Sequence, residues 1–193
     1  MKTSLRVILI MLIAVILAVG AFGVYTLFRD DEDDEPSVVG GLDNYITADE
    51  VKAAPLVSFL DEDGERLTLE KFRGKVVVLN MWATWCTPCV HEMPTLDRLQ
   101  MQLKDLDVVV VALSIDRGGP AAVRTFFDEH GIEHLGVYVD PTMSAQSGFN
   151  VIGLPTTMLI DKDGRERGRI VGPAEWDEAR AADLVLSAAA PLK

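Results

Sequence analysis

One stretch constrains the fold of this chain more than any other: residues 75–94, with the sequence KVVVLNMWATWCTPCVHEMP. The apolar run Val76–Met81 is typical of a buried strand, and a helical pattern opens with CTPC at residues 86–89. A Cys-x-x-Cys pair between a strand and a helix indicates a redox-active dithiol. The stretch therefore predicts a strand, a short loop, and a helix that carries two cysteines at its start.

The position of these cysteines favours thiolate chemistry. Cys86 precedes a helix whose unpaired backbone N–H groups and positive dipole end stabilise a negative charge. A thiol activated in this way titrates at roughly 3.5–7.5 rather than about 8.5, and the thiolate is the attacking species. Pro88 costs the helix little, because few donors in a first turn have an intrahelical partner to lose. We predict that Cys86 is the nucleophile and that Cys89 is the resolving thiol.

The motif also carries a family resemblance. The sequence WCTPC at residues 85–89 resembles the W-C-x-P-C of thioredoxin-like proteins. The longer pattern N-x-W-A-T-W-C-x-P-C-x-x-E-x-P at residues 80–94 is similar to the TlpA/ResA/CcmG branch, which are membrane-tethered thiol–disulfide oxidoreductases. The resemblance extends over residues 56–190 in element order. It implies a thioredoxin-like α/β fold, a mixed central sheet with helices on both faces, and no cofactor beyond the Cys86–Cys89 disulfide.

The resemblance implies further site residues. Pro155, in GLPTT at residues 153–157, matches the cis-proline that faces the cysteines in this fold. In the family the backbone before this proline pairs with substrate like an added strand, so Leu154 would supply a backbone contact. Trp85 and Pro88 would complete the substrate surface, whereas Trp82 is predicted to pack in the core. The alternative for Pro155 is an ordinary turn proline before a strand.

Glu92 is the predicted proton carrier. It lies three residues after Cys89, on roughly the same face of the helix. Near the dithiol and partly buried, its pKa would rise, and it could exchange a proton with Cys89. ResA-type proteins carry a glutamate at this position with a role in activity. Asn80, at the position of thioredoxin's buried aspartate, cannot move a proton. The alternative is that Glu92 is a solvated helix carboxylate.

Composition excludes several other classes. The net charge of −12 makes nucleic acid an improbable partner, because phosphate binding needs clustered Lys and Arg. Two cysteines exclude a multi-disulfide scaffold and a four-cysteine zinc site. Val90 after Cys89 breaks the Cys-x-x-Cys-His haem motif. Two alternatives stay open. The cysteines could form a static structural disulfide, or Cys86 and Cys89 could bind a metal ion together with a further ligand such as His91 or Met93.

The N-terminus predicts a membrane anchor. Residues 7–28 are uncharged and long enough to cross a hydrocarbon core of about 30 Å as a helix. Basic residues precede this stretch and acidic residues follow it, so residues 1–6 are predicted to lie in the cytoplasm and the rest in the periplasm. The alternative is a cleaved signal peptide, with a small-residue cleavage site at residues 18–20. Both place the domain where disulfide chemistry persists.

The remaining chain divides into a linker and one domain. Residues 29–52 contain six consecutive acidic residues, 30–35, and are predicted to form a flexible, solvated linker; the alternative is a docking tail. Residues 53–193 are predicted to form the thioredoxin-like domain. Its predicted elements, besides those of the motif, are hairpin strands 57–60 and 66–69, a turn at 69–72 that Thr68 caps, strand 108–115, helix 121–130, strand 135–139, helix 141–149, hairpin strands 157–160 and 167–171, and helix 174–190.

The functional prediction is a membrane-tethered reductant of protein disulfides. By resemblance, its partners are a membrane electron donor protein and, as substrates, apocytochrome c or a copper-site protein of cytochrome oxidase assembly. The alternative is a copper-binding chaperone that uses Cys86 and Cys89. A peroxide-reducing enzyme is a further alternative, although the expected Thr and Arg around a peroxidatic thiol are not found in the sequence.

Overall fold

The computed structural model describes residues 41–190. Within that range, no helix has the length and apolar character needed to cross a membrane. The predicted cytoplasmic residues 1–6 and the predicted anchor, residues 7–28, lie outside the described residues.

The described chain forms one sheet of eight strands in the spatial order β1-β8-β7-β4-β5-β6-β2-β3. The strands are β1 (Ile46–Thr47), β2 (Ser58–Leu60), β3 (Arg66–Thr68), β4 (Val76–Trp82), β5 (Val108–Ser114), β6 (Tyr138–Val139), β7 (Thr156–Ile160) and β8 (Glu166–Val171). β4 lies at the centre, where it pairs in parallel with β5 and antiparallel with β7. The sheet is therefore mixed, as the resemblance implied.

Between residues 41 and 190, four α-helices and two 3-10 turns accompany the sheet. The helices are α1 (Thr87–Leu103), α2 (Gly119–His130), α3 (Ser144–Gly148) and α4 (Ala179–Ser187), and the 3-10 turns are Leu42–Asn44 and Leu69–Phe72. Helix α2 ends where predicted, at Gly131, which has φ 65°. Thr68 occupies the N-cap position of the second turn, as predicted, but within residues 41–190 its side chain makes no capping hydrogen bond.

The two faces of β4 belong to two different parts of the core. All seven of its residues are buried, and because successive side chains of a strand point to opposite faces, its six apolar residues divide between two clusters. Val78 and Trp82 pack with residues of α1, α2 and α4. Leu79 and Met81 pack with Phe59, with Phe72 and with Ala145 of α3. Helices thus lie on both faces, as predicted for a thioredoxin-like fold.

Side chains of α1 bind the backbone of the segments before β6 and before α4, and both elements therefore begin later than predicted. The backbone N–H groups of residues 133–135 all donate to Asp97 Oδ1, at 2.6–3.1 Å, so strand β6 begins only at Tyr138. Residues 174–177 also pack against α1, and Glu178 still has an extended backbone, so α4 begins at Ala179 rather than at residue 174.

The ordered domain begins earlier than the predicted boundary at residue 53. Strand β1 pairs with the edge of β8, with Ile46 opposite Arg169 and Thr47 opposite Gly168. Gly168 permits this approach, because a Cβ there would overlap the Tyr45 ring and the Ile46 carbonyl. The prediction of a flexible linker over residues 29–52 is therefore wrong for this strand. Residues 29–40 lie outside the described part of the chain.

Candidate active site

The two cysteines form a disulfide where β4 passes into α1. Their sulfur atoms are 2.06 Å apart. Cys86 is the N-cap residue of α1, and its carbonyl accepts the N–H of Val90 at 3.0 Å. Cys89 lies within the first turn of the helix and is 0 % exposed, whereas Cys86 is 7 % exposed. Only one of the two sulfurs therefore belongs to a residue that solvent reaches at all.

A buried carboxylate fixes the loop that leads to Cys86. Asp116 accepts the Thr84 backbone N–H and the Thr84 hydroxyl, both at 2.9 Å, and also the Ser114 hydroxyl at 2.7 Å. β4 and β5 are parallel, so the residues that follow them meet at one edge of the sheet. The sequence analysis missed Asp116, although an acidic residue directly after a buried strand marks that edge.

The peptide bond between Leu154 and Pro155 is cis, as the resemblance implied. Met81 of β4 pairs with Thr156 of β7, so Pro155 lies beside the end of β4, from which the cysteine loop departs. The Thr156 hydroxyl donates to the Gly153 carbonyl at 2.7 Å and closes the proline turn. The prediction of the cis geometry is confirmed.

Exposed apolar side chains lie on both segments that form this edge. Trp85 is 69 % exposed directly before Cys86, and Ile152 is 93 % exposed three residues before Pro155. Leu154 is half-buried, as is Pro88 between the cysteines. The sequence analysis missed Ile152, because the sequence alone does not tell an exposed isoleucine from a core one. In contrast, Trp82 is fully buried, as predicted, and stacks on Phe127.

Glu92 lies inside the protein, on the buried face of α1 one turn after Cys89. It is 2 % exposed, so the alternative of a solvated carboxylate is wrong, and it is buried more deeply than predicted. Its oxygens accept hydrogen bonds from Asn80 Nδ2 (2.7 Å, to Oε1), the backbone N of Ala174 (3.1 Å, to Oε2) and Trp176 Nε1 (3.3 Å, to Oε2). Burial raises the pKa of Glu92 to about 7, although these three donors act to lower it.

Asn80 connects Glu92 to the strand that follows the cis-proline. The same Nδ2 group donates to Thr157 Oγ1 at 2.9 Å, while Oδ1 is buried with no hydrogen-bond partner among the described residues. Asn80 is thus a hydrogen-bonded amide of the core. The sequence could not show that its partner would be Glu92 itself.

Across positions 41–190, no group of three His, Cys, Asp or Glu side chains is arranged so that it could hold a metal ion. His91 is exposed, and Met93 is fully buried.

A disulfide at a strand-to-helix junction, beside a cis-proline in a mixed sheet, defines a thioredoxin-fold thiol–disulfide oxidoreductase. The chain belongs to the Redoxin family, whose model matches residues 49–186. It is 36% identical over 121 residues to the thiol-disulfide oxidoreductase ResA of Bacillus thuringiensis (strain Al Hakam), a match that covers 63% of this chain and 69% of the relative. ResA of Bacillus subtilis (strain 168) is 33% identical over 112 residues, 58% of this chain and 62% of that protein.

Solved structures agree with this assignment. A thiol:disulfide interchange protein of the thioredoxin family from Chlorobium tepidum superimposes with a TM-score of 0.57 and 26% identity, over 72% of this chain and 99% of its own. A thiol-disulfide oxidoreductase from Bacteroides fragilis gives 0.58 and 25%, over 70% and 98%. Redox exchange through the Cys86–Cys89 pair is therefore the activity that the fold and the relatives support.

Proposed function

We propose that this protein reduces disulfides in other proteins on the periplasmic face of the inner membrane, in cytochrome c maturation or in the assembly of the copper site of cytochrome oxidase. The observation that carries the exchange mechanism is the unequal burial of the two cysteines at the start of α1. The reducing direction and the two pathways rest on the resemblance to the TlpA/ResA/CcmG branch.

The exchange proceeds in two displacements. In the reduced protein, the Cys86 thiolate attacks one sulfur of a substrate disulfide, which forms a mixed disulfide and releases the other substrate sulfur as a thiolate. The Cys89 thiolate then attacks Cys86, releases the second substrate thiol and leaves the disulfide of this structure. Two electrons pass to the substrate, and a membrane electron donor protein restores the dithiol. The small exposure of Cys86, 7 % against 0 % for Cys89, supports this division of roles.

Glu92 is the proposed proton carrier for Cys89. As the resolving thiol must lose its proton before it attacks, a nearby base assists this step. Glu92 lies one helical turn from Cys89 on the buried side of α1, and burial raises its pKa to about 7. A carboxyl with that pKa both accepts and returns a proton near neutral pH, which an exposed glutamate does poorly.

The substrate is proposed to bind across the exposed apolar side chains at the site. Trp85 and Ile152 offer apolar surface on the cysteine loop and on the proline loop, respectively. Leu154 stands directly before the cis-proline and offers its backbone to an extended peptide. Half-buried Pro88 adjoins this surface, whereas Pro155 is buried and forms the cis turn that follows Leu154. Such a site takes an unfolded or flexible segment that carries its disulfide near apolar residues.

A mixed-disulfide trap tests the proposal. Cys89→Ser in the full-length protein removes the resolving thiol, so the substrate remains attached to Cys86. Purified from its own host without reductant, it should carry a covalent adduct that is released by dithiothreitol. The matched control, Cys86→Ser, should carry none. An apocytochrome c or its handling factor places the protein in haem attachment, and a copper-site protein places it in oxidase assembly.

The same preparations test the alternative function. A copper chaperone predicts tight, stoichiometric Cu(I) binding by the reduced domain and no turnover of disulfide substrates. Absence of any adduct on Cys89→Ser, together with such binding, contradicts the reductase proposal. Membrane location is tested separately: the full-length chain should sediment with membranes and be open to protease from the periplasmic side, and deletion of residues 7–28 should release it.

A further inference from the structure

The segment between β8 and α4 is bound along one face of the active-site helix. Successive turns of α1 present Glu92, Thr95 and Arg98 to this segment. The contacts are Ala174 N to Glu92 Oε2 (3.1 Å), Trp176 N to Thr95 Oγ1 (3.1 Å) and Arg98 Nε to Asp177 Oδ2 (2.7 Å). A spacing of three residues keeps these partners on one side of a helix. Residues 174–177 are thus fixed directly behind the dithiol.

Trp176 adds a contact that the backbone does not supply. Its side chain is 0 % exposed, and its indole N–H donates to Glu92 Oε2 at 3.3 Å. The other tryptophan of the core, Trp82, is equally buried, but its indole N–H has no partner among the described residues. The two side chains therefore fill the core alike and differ in whether they hold the Glu92 carboxyl.

We propose that Trp176 is a positioning residue for the exchange reaction, because its indole N–H holds the Glu92 carboxyl in place behind Cys89. The inference rests on the proposed proton role of Glu92. A donor that binds the carboxylate stabilises the charged form, so Trp176 also lowers the pH at which Glu92 exchanges its proton. Trp176 acts only through Glu92 and is not itself assigned a contact with substrate.

Other groups around the carboxyl act on it in known directions. Asn80 Nδ2 and the backbone N–H of Ala174 also donate to it and lower its pKa. The charge of Glu175 raises it, as burial does. In the reduced protein the thiol of Cys89, one turn away on the same helix, is a further titrating group. The oxidised protein, in which Cys89 does not titrate, therefore gives the clearer measurement.

The test compares Trp176→Phe with Trp82→Phe. Both variants remove the same atoms from the core, but only the first removes a donor to Glu92. NMR of the side-chain carboxyl carbons in the oxidised protein, assigned with Glu92→Gln, measures the pKa of Glu92. We expect Trp176→Phe to raise it by about one unit and Trp82→Phe to leave it unchanged. The pH profile for reduction of a synthetic peptide with an intramolecular disulfide should move by the same amount.

A second measurement needs no change at Trp176. In the unmodified oxidised protein, the indole N–H resonance of Trp176 should shift with pH at the same midpoint as the Glu92 carboxyl. That shift should vanish in Glu92→Gln. The inference is overturned if the indole resonance does not shift as Glu92 titrates. It is also overturned if the carboxyl pKa of Glu92 is the same in the two Phe variants. If Trp176→Phe moves the carboxyl pKa but not the pH profile of reduction, the contact stands and the proposed proton role of Glu92 fails.

Discussion

Asn80 on β4 donates its side-chain amide to Glu92 on α1, with 2.7 Å between Nδ2 and Oε1. Both side chains are buried, and the same amide group also binds Thr157, two residues after the cis-proline. The carboxyl behind the dithiol is therefore tied to the central strand and, through Asn80, to the strand that carries the substrate loop.

Asn80→Asp should raise the apparent pKa of this site. The change places a second carboxyl within hydrogen-bond distance of Glu92, and two adjacent carboxylates cannot both ionise readily. The pair should share one proton well above the pKa of about 7 that Glu92 has in the native protein. Carboxyl NMR in the oxidised state measures this. The control is Thr157→Val, which leaves all three donors to Glu92 and should not shift its pKa. An unshifted titration in Asn80→Asp contradicts the assigned pairing.

Stability should fall as the pH rises through the titration of Glu92. Its pKa rises from 4.5 to about 7 on folding, so the folded state binds more protons than the unfolded state between these values. This contribution, on the order of 3 kcal/mol, is complete below the unfolded pKa and is lost above the folded one. Urea unfolding at about pH 5 and about pH 8 measures it.

Glu92→Gln should remove this pH dependence and leave the fold intact. Glutamine can turn its carbonyl oxygen toward Ala174 and Trp176, while Asn80 rotates its amide so that the unpartnered Oδ1 accepts the new N–H. The same variant should slow resolution of the mixed disulfide, because the proton acceptor for Cys89 is gone. Kinetics identical to those of the native protein across pH would end the proposed role of Glu92.

The loop before Cys86 should depend on the contact between Thr84 and Asp116. Thr84→Val keeps the shape of the side chain but removes the hydroxyl that donates to the Asp116 carboxylate at 2.9 Å. We expect a loss of about 1.5–3 kcal/mol in the free energy of unfolding, the usual range for a hydrogen bond to a charged group. Thr84→Ser, which keeps both donors, is the control. Equal stability of the two variants would count against this contact.

Exposed apolar residues at the site should affect protein substrates more than small ones. Trp85→Ala and Ile152→Ser should each raise KM for a protein disulfide by about fivefold, since each removes apolar contact area from the proposed surface. Reduction of a small aromatic disulfide reagent should change little. Leu106→Ser is the control: Leu106 is 48 % exposed but precedes β5, at the sheet edge opposite the cysteines. A similar effect from Leu106→Ser would show that the site is not specific.

The sequence by itself determined the features that depend on local spacing. The apolar run of β4, the cysteines at the start of α1 and the glycine that ends α2 each follow from patterns within a few residues, and all three are present. The cis bond at Pro155, by contrast, was implied by the family resemblance and not by local spacing. The predicted bounds were wrong at the starts of α4 and β6, where side chains of α1 bind the adjoining backbone.

Only the tertiary structure decided the environment of Glu92. Its spacing from Cys89 placed it on a helix face, but its partners Asn80 and Trp176 lie 12 and 84 positions away in the chain. The pKa of a carboxyl depends on burial and on the donors that surround it, and these arise from long-range packing that no local pattern encodes. For the same reason, only the tertiary structure shows that Ile152 is exposed at the site rather than buried in the core. Folding thus converts an ordinary helical glutamate into a group that titrates near neutral pH behind the dithiol.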